Sequence, residues 1–488
     1  MGNGVSLSHE SVLDLQTILG SPLHPGSVDT RFSRLIWDDR QATEGSGSGD
    51  LFVAIRGSQF DGSAAIPKLI ERGIRGVVTE TAPPSSLSSE VTWWHVDNSR
   101  QQFARLVHEA YRQPGHELQV FGITGTNGKS STVRMLANLL DQPKRTAGWV
   151  TTVDRSVAGL ISESNCTTPP AHELARLLRD HSDGNGGPMV LEISSHAIDQ
   201  HRVTGIPLAA AAITQLGRDH LDYHGTEAAY HEVKRSLRHQ VRDGGVFLTP
   251  SADHSTKETV AFADFFSREV WTAKILSQSL QGSLIELKGS GLNFKCRLPR
   301  AARHDVSNAL CAAALASSVG TSADQILQGL EVASAVPGRL EQVFDGVFVD
   351  YAHTPDALEA VLKSCRELCQ GRLRVVFGCG GDRDTGKRPQ MGRIAKEYAD
   401  EIYLTDDNPR SEPSAEILCQ IRSGIGDSEV VYEESDRREA IAMALREHGS
   451  EDILVIAGKG HETTQEVCGV KTPFDDRLVV REIMGVTS

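Results

Sequence analysis

No run of about 18 apolar residues occurs in the chain, so a membrane-spanning helix of ordinary length is excluded and no membrane insertion is expected. The start, MGNGVSLSHESV, lacks the basic residues and apolar stretch of a secretory leader, and a cytoplasmic location is the simplest expectation. Positive charge is in short supply. Lys and Arg total 50 against 64 Asp and Glu, a net charge of −14, so the broad basic surface that neutralises nucleic-acid phosphates is not expected, nor is a nucleic-acid partner. An anionic ligand must be met by local positive sites. Eight cysteines occur, yet there is no Cys-x-x-Cys pair, and only Cys365 and Cys369 lie close together, in a stretch that reads as helix. That argues against a structural zinc site or a disulfide framework and for free, mostly buried thiols in a reducing compartment. Short-period repeats and interpretable low-complexity segments are also missing. What is present is an ordinary globular composition: 39% hydrophobic, 23% charged, 45 glycines and 19 prolines. At roughly 100–200 residues per domain, 488 residues suggest about three domains.

Local signals divide the chain into three blocks. In residues 1–114, short apolar runs such as DLFVAIR at 50–56 and GIRGVVT at 73–79 alternate with helical patterns, and GSGSG at 45–49 reads as a flexible turn before a strand. Residues 115–336 open on the apolar strand LQVFGIT, continue into a glycine-rich loop and a helix, and add strand-like runs at 189–193, 209–213 and 245–248 before an alanine-rich helix at 308–319. Residues 337–488 carry four strand-like runs, at 346–350, 372–377, 401–405 and 452–456, separated by helical stretches. The expected fold class is α/β with three domains: a small N-terminal α/β domain, a central P-loop-type parallel-sheet domain and a C-terminal Rossmann-like domain.

The sharpest motif is GTNGKSST at 125–132, following the strand. Glycines let backbone N–H groups approach phosphate oxygens, the helix N-terminus favours negative charge, Lys129 reaches terminal phosphates and the Ser130 hydroxyl can ligate magnesium. The usual Walker spacing would place glycine at Ile123, and the bland alternative is a glycine turn with a solvated lysine. Strand, loop, lysine, hydroxyls and helix in that order favour nucleoside triphosphate binding. Glu192 and His196 follow at the end of another apolar strand, where a carboxylate commonly serves magnesium or a nucleophile. Taken alone, they equally suit a surface carboxylate and a satisfied interior imidazole. RDHLDYHG at 218–225, with Lys234 downstream, gathers carboxylates, imidazoles and an arginine in a metal-friendly or catalytic density, although His220 and Asp222 are also candidate helix caps.

These motifs, together with EISSHAIDQHR at 192–202, DYAHTP at 350–355, GCGGDRD at 378–384, DNPR at 407–410 and GKGHE at 458–462, resemble the Mur ligase family over nearly the whole chain. The resemblance implies an ATP-dependent amide ligase of peptidoglycan synthesis: a substrate D-Glu carboxylate takes the γ-phosphoryl of ATP, and an incoming amine displaces phosphate. It implies three small-molecule substrates, namely ATP, UDP-N-acetylmuramoyl-dipeptide and meso-diaminopimelate, with Mg2+ as cofactor and a carbamate on Lys234. By the same correspondence, Gly125, Thr126, Asn127, Gly128, Lys129, Ser130, Ser131, Asn308, Arg339 and Asp350 contact ATP. Ser130 serves a first magnesium with Glu192 as a metal ligand, His220 and carbamylated Lys234 serve a second, and Lys129, His220 and Lys234 are the implied catalytic residues. Carbamylation matters physically, because an unmodified ammonium repels a cation. The implied muramoyl-nucleotide set is Asp39, Ser58, Gln59, Thr167, Thr168, Ser194, Gln200 and Arg202. Arg383, Asp407, Asn408, Pro409, Arg410, Gly458 and Glu462 match the diaminopimelate pocket, where a guanidinium pairs with the distal carboxylate and Glu462 suits the distal ammonium. Without the family context, Lys234 reads as a helix-surface lysine, Arg202 as a solvated cation and Asn408-Pro409 as a turn.

The chain departs from the family pattern at Asp39, where a serine is usual, at Gln215, where Asn is usual, and around Asp305, ahead of Asn308. These departures keep two other readings open: a related ligase adding L-lysine or another diamino acid, and a catalytically silent muramoyl-nucleotide-binding protein. A monomer is the expected state.

Overall fold

The computed structural model describes residues 5–6, 15–24, 32–42, 47, 49–57, 61–299, 302–333, 336–427 and 430–486. They form two compact units, one comprising Met1–Gly125, Leu140–Ile213 and His220–Leu248, the other Thr126–Leu139, Thr214–Asp219 and Thr249–Ser488.

The first unit begins with β1 (Val5–Ser6), β2 (Arg34–Ile36), β3 (Asp50–Val53), β4 (Gly76–Thr79) and β5 (Thr92–His95), paired in that order. β2 to β5 run parallel and β1 is antiparallel to β2. Alternation in β4 sends Val77 to a core with Phe52 and Trp93, and Val78 to another with Leu35, Val53 and Phe103. Both faces are covered, as a parallel sheet requires.

In the same unit lie β6 (Val120–Thr124), β7 (Gly148–Val150), β8 (Asp154–Val157), β9 (Leu160–Glu163), β10 (Met189–Glu192), β11 (Leu208–Ile213) and β12 (Val241–Pro250). Their order is β12-β11-β6-β10-β7-β8-β9, parallel from β12 to β7 and antiparallel beyond. The unbroken apolar runs of β6, β10 and β11 are buried throughout, which is why they read as strands of a covered parallel sheet.

The second unit contains the helix Lys129–Leu140 and an antiparallel meander of β13 (Thr259–Asp264), β14 (Val270–Ser279), β15 (Gly282–Gly289) and β16 (Leu292–Leu298). The expected parallel sheet of the central block is present, and this antiparallel meander is an addition that the sequence reading did not include. Trp271, Ile285 and Leu287 bury its inner face, and the helix Arg303–Ser318 packs on it. That helix starts at Arg303, five residues ahead of the expected 308, because extended Ala302 is its N-cap, so Asn308 lies inside the helix rather than at its start.

The remaining sheet is built from β17 (Glu341–Phe344), β18 (Val347–Asp350), β19 (Leu373–Phe377), β20 (Glu401–Leu404), β21 (Val431–Glu433) and β22 (Ile453–Ala457), in the order β17-β18-β22-β19-β20-β21. All but edge strand β17 are parallel. One core holds Leu362, Phe377, Met391 and Ile421; the other holds Val349, Val376, Ile441 and Val480, so helices cover both faces. The hairpin β23 (Thr464–Val467) and β24 (Val470–Pro473) follows. All eight cysteines are free, as expected, five of them buried. No helix among the described residues is long and apolar enough to cross a membrane.

Candidate functional site

The phosphate loop sits where β6 ends and the helix Lys129–Leu140 begins. Thr126, Ser130 and Ser131 are buried, and Lys129 Nζ is folded back to donate to the Thr126 carbonyl at 3.0 Å. Gly128 has φ +83°, and a Cβ there would lie 2.3 Å from Asn308 Oδ1. Only glycine allows the helix carrying Asn308 to approach the loop so closely. Asn308 Oδ1 also accepts from Thr132 Oγ1 at 3.3 Å. The neighbouring segment closes the loop: Thr214 Oγ1 donates to the Asn127 carbonyl (2.6 Å), Thr126 N to the Gln215 carbonyl (2.9 Å) and Gly217 N to Thr126 Oγ1 (2.9 Å). Gln215, a departure from the family pattern, thus contributes its backbone carbonyl, which any residue supplies.

At the third sheet's first parallel strand, Asp350 accepts from Leu340 N at 2.6 Å and Ala352 N at 2.7 Å. Burial pushes its carboxyl pKa up, opposed by the nearby Arg339 charge. The Arg339 guanidinium lies 4.6 Å from the centre of the Tyr351 ring. Gly338 (φ +66°) packs against the backbone of Gly460 and His461, with a Cβ position 2.1 Å from His461 N. Asn308, Arg339 and Asp350 therefore all belong to the second unit, as does the loop from Thr126 onward.

In the first unit, Lys234 is buried on the helix Glu227–Ser236 and points inward. Its Nζ donates to the Gly125 carbonyl at 2.9 Å and lies 4.5 Å from the centre of the Tyr230 ring. The helix-surface reading of this lysine is therefore excluded. Glu192, 1% exposed, ends β10 and is cradled by Thr152, whose N donates to Oε2 (2.9 Å) and whose Oγ1 donates to Oε1 (3.0 Å). Thr152 was not singled out from the sequence; two threonines directly after an apolar strand were its only signal. His220 adopts φ +51° at the start of a one-turn helix with no side-chain cap bond, which removes the capping alternative for it. Its ring meets that of His196 edge-on at 4.7 Å, and His196 packs on Tyr223 at 4.2 Å. Burial and the neighbouring imidazoles lower the His196 pKa.

The expected muramoyl-dipeptide residues form one connected network. Thr167 Oγ1 and Thr152 Oγ1 are hydrogen-bonded at 3.0 Å; Thr168 Oγ1 donates to the Glu192 carbonyl (2.8 Å) and accepts from Ser194 N (3.0 Å). Arg202 donates to the Thr168 carbonyl at 2.7 Å and to Gln200 Oε1 at 2.8 Å, so it is no solvated surface cation. Asp39 lies in a single helical turn capped by Asp38, which also pairs with Arg40. Ser58 and Gln59 lie outside the described residues. Their flanks, Arg56 and Asp61, pair at 3.1 Å and line a cavity of about 290 Å³ with Ser63, Glu80, His95 and Asp97, at the carboxyl ends of β3, β4 and β5.

The expected amino-acid pocket gathers at the carboxyl ends of β19, β20 and β22, where ligands bind in doubly wound sheets. Asn408 Nδ2 donates to Glu462 Oε2 at 3.0 Å, and Gly381 N donates to the Asn408 carbonyl at 2.9 Å. Arg410, with φ +52°, sends Nη1 to the Gly381 carbonyl at 2.7 Å. Pro409 and Gly458 are buried between these turns, while Arg383 is exposed in the 378–384 loop. Lys459, fully buried and unassigned from the sequence, is the hub: Nζ lies 3.1 Å from Asn408 Oδ1, 3.3 Å from Glu462 Oε2 and 3.7 Å from Asp407 Oδ1.

Among the described residues, no group of three or more His, Cys, Asp or Glu side chains is placed to hold a metal. Glu192 brings a hard oxygen donor and His220 an imidazole nitrogen, while an unmodified Lys234 ammonium brings none. A carbamate on Lys234 would replace that ammonium with hard oxygen donors of the kind magnesium prefers, which is the chemistry such an ion would need there.

A glycine-rich loop opening a helix, a buried lysine docked on its first carbonyl, and a charged pocket on a doubly wound sheet are features of an α/β nucleotide-binding protein. Family models match in order: the Mur ligase family catalytic domain over residues 43–111, the Mur ligase middle domain over 123–316 and the Mur ligase glutamate ligase domain over 338–460. The chain belongs to the Mur ligase family. Relatives named UDP-N-acetylmuramoyl-L-alanyl-D-glutamate–2,6-diaminopimelate ligase include those of Cytophaga hutchinsonii (34% identical, 94% of this chain, 96% of the relative), Aquifex aeolicus (37%, 90% and 91%) and Pseudomonas aeruginosa (36%, 88% and 91%). A solved structure of a ligase of that name superposes with TM-score 0.63 at 29% identity, covering 99% of both chains. The MurF ligase from Thermotoga maritima in complex with ADP shares the fold, with TM-score 0.54 at 18% identity over 94% of this chain and 97% of that one.

Proposed function

We propose that this chain is an ATP-dependent amide ligase that joins meso-diaminopimelate to UDP-N-acetylmuramoyl-L-alanyl-D-glutamate during peptidoglycan synthesis. The observation that carries the choice of acceptor is the pocket in which Arg410 and Glu462 are held together by Asn408, Gly381 and Lys459. A diamino acid whose far end bears both a carboxylate and an ammonium satisfies both charges; lysine leaves the guanidinium facing no substrate anion.

A carboxylate is a poor electrophile at neutral pH, and phosphorylation supplies the leaving group. A D-Glu carboxylate oxygen attacks the γ-phosphorus, ADP departs, the acceptor's deprotonated amine attacks the acyl carbon, and phosphate leaves as the amide forms. Lys129, freed from the Thr126 carbonyl, would follow the charge on the transferring group, and backbone N–H groups of the loop other than that of Thr126, which is held by the Gln215 carbonyl, would receive the phosphates. Thr167, Thr168, Ser194, Gln200 and Arg202 hold the dipeptide. His220 and a carbamylated Lys234 would hold one magnesium and Glu192 would be a ligand of another; bound magnesium would offset phosphate charge.

The test is phosphate release by the purified chain with ATP, magnesium and UDP-N-acetylmuramoyl-L-alanyl-D-glutamate, comparing meso-diaminopimelate, L-lysine and no acceptor, with product mass measured. Release that depends on diaminopimelate, with the matching amide product, is expected. Preference for lysine would overturn the pocket assignment, and no turnover with either acceptor would overturn the ligase assignment.

A further inference from the structure

The hairpin β23–β24 forms a wall of the acceptor pocket. Arg410 N donates to the Glu466 carbonyl (3.1 Å), Cys468 N to the Arg410 carbonyl (2.7 Å), Glu466 N to Asn408 Oδ1 (3.0 Å) and Gln465 Nε2 to the Asp407 carbonyl (3.0 Å). Glu466 itself contributes only its backbone N and carbonyl to these bonds, which leaves its side chain available for another role. Its Oε2 lies 3.6 Å from Arg410 Nε, with the two side chains 28% and 24% exposed. The distance is long for a hydrogen bond, but Coulomb attraction persists at that range in a half-buried setting. Arg410 is therefore held at one end by a neutral carbonyl and faced along its Nε edge by an anion.

We infer that Glu466 is a specificity-determining residue that acts through Arg410, by partly compensating its charge. Resting on the assignment of Arg410 to the distal carboxylate of the acceptor, the inference has a definite sign. Diaminopimelate must compete with Glu466 for the guanidinium. Lysine, which brings no carboxylate, leaves Arg410 paired with Glu466 rather than bare. The internal anion therefore narrows the gap between the two acceptors, and removing its charge widens that gap.

The experiment uses the full chain in four forms: wild type, Glu466→Gln, Arg410→Gln and the double variant. Glu466→Gln preserves side-chain size and every backbone contact to the turn. KM and kcat are measured for meso-diaminopimelate and L-lysine, with the inhibition constant of lysine against diaminopimelate replacing its KM if its turnover is slow. In Glu466→Gln, preference for diaminopimelate is expected to rise roughly three- to tenfold, carried by KM, and the substitution is expected to leave preference unchanged when Arg410 is already Gln. Glu466→Asp should stay near wild type. An unchanged or reduced preference in Glu466→Gln overturns the inference, as does an equal rise without Arg410 or a parallel loss for both acceptors. A wild type active with diaminopimelate alongside any of these results leaves the ligase assignment standing, whereas an inert wild type removes both.

Discussion

Replacing Lys459 by Met tests whether the amino-acid pocket depends on a buried charge. Methionine keeps an unbranched side chain of similar length and removes the ammonium that joins Asn408, Glu462 and Asp407 at 3.1, 3.3 and 3.7 Å. At an effective dielectric near 20, the gross attraction is about 5 kcal/mol for the Glu462 pair and about 4.5 kcal/mol for the Asp407 pair. Desolvation of the ammonium cancels much of this, and deleting one member of a buried pair costs about 3–5 kcal/mol in net terms. Part of the loss is absorbed by water entry and side-chain rearrangement. If about 1.4–2.8 kcal/mol reaches acceptor binding, KM for diaminopimelate rises about 10- to 100-fold. The ATP contacts assigned to Asn308, Arg339 and Asp350 involve none of these atoms, so KM for ATP should stay within about threefold. Steady-state phosphate release at saturating ATP and muramoyl nucleotide reads the first quantity, and ATP titration reads the second, with a thermal melt to verify folding. An acceptor KM within about threefold of wild type, or parallel rises in both constants, would refute the assignment of Lys459 as the organiser of this pocket.

Three further outcomes are expected. Gly128→Ala meets both a left-handed backbone (φ +83°) and Asn308 Oδ1 at 2.3 Å; a cost of about 1–3 kcal/mol should weaken ATP binding at least several-fold, read by nucleotide titration. Lys234→Ala removes the donor to the Gly125 carbonyl and the proposed site of carbamylation; ligation should fall by about two orders of magnitude and recover partly with short-chain carboxylic acids, and full activity without them would contradict the proposed role. His108 is buried, and burial lowers its pKa from 6.5 to about 4, with the His116 charge a smaller cause. Because the unfolded chain binds this proton more readily, stability is full above pH 6.5 and declines as pH falls towards 4, by up to about 3 kcal/mol. Thermal melts of His108→Leu at pH 7.5 and 5 should show a smaller acid shift than wild type, and an equal shift would reject the linkage.

Strands buried on both faces were legible because their side chains obey one rule along their whole length: VFGIT, MVLE and LAAAAI have no polar face to confuse the reading. The β13–β16 meander was not, because one-sided burial scatters its apolar residues among Lys274, Glu286, Lys288 and Lys295. The same distinction governs the site. Lys129 stands inside a compact motif, so its expected chemistry is written into neighbouring residues, whereas Glu192 and Lys234 acquire their expected roles only through the family resemblance. Thr152 acquires its role only when it reaches Glu192, 40 residues away, and Lys459 only when it meets Asn408, 51 residues away. Gln215 shows the converse: a changed side chain drew attention, while the contact the fold uses there is a carbonyl that no substitution other than a backbone distortion removes. Residue identity therefore predicts function best where the side chain itself is the reagent. Residues that only hold the reagent in place are found through the distances that folding creates, and for that reason Glu466 is a position where variation among related ligases would change acceptor choice without altering any of the motifs that mark the family.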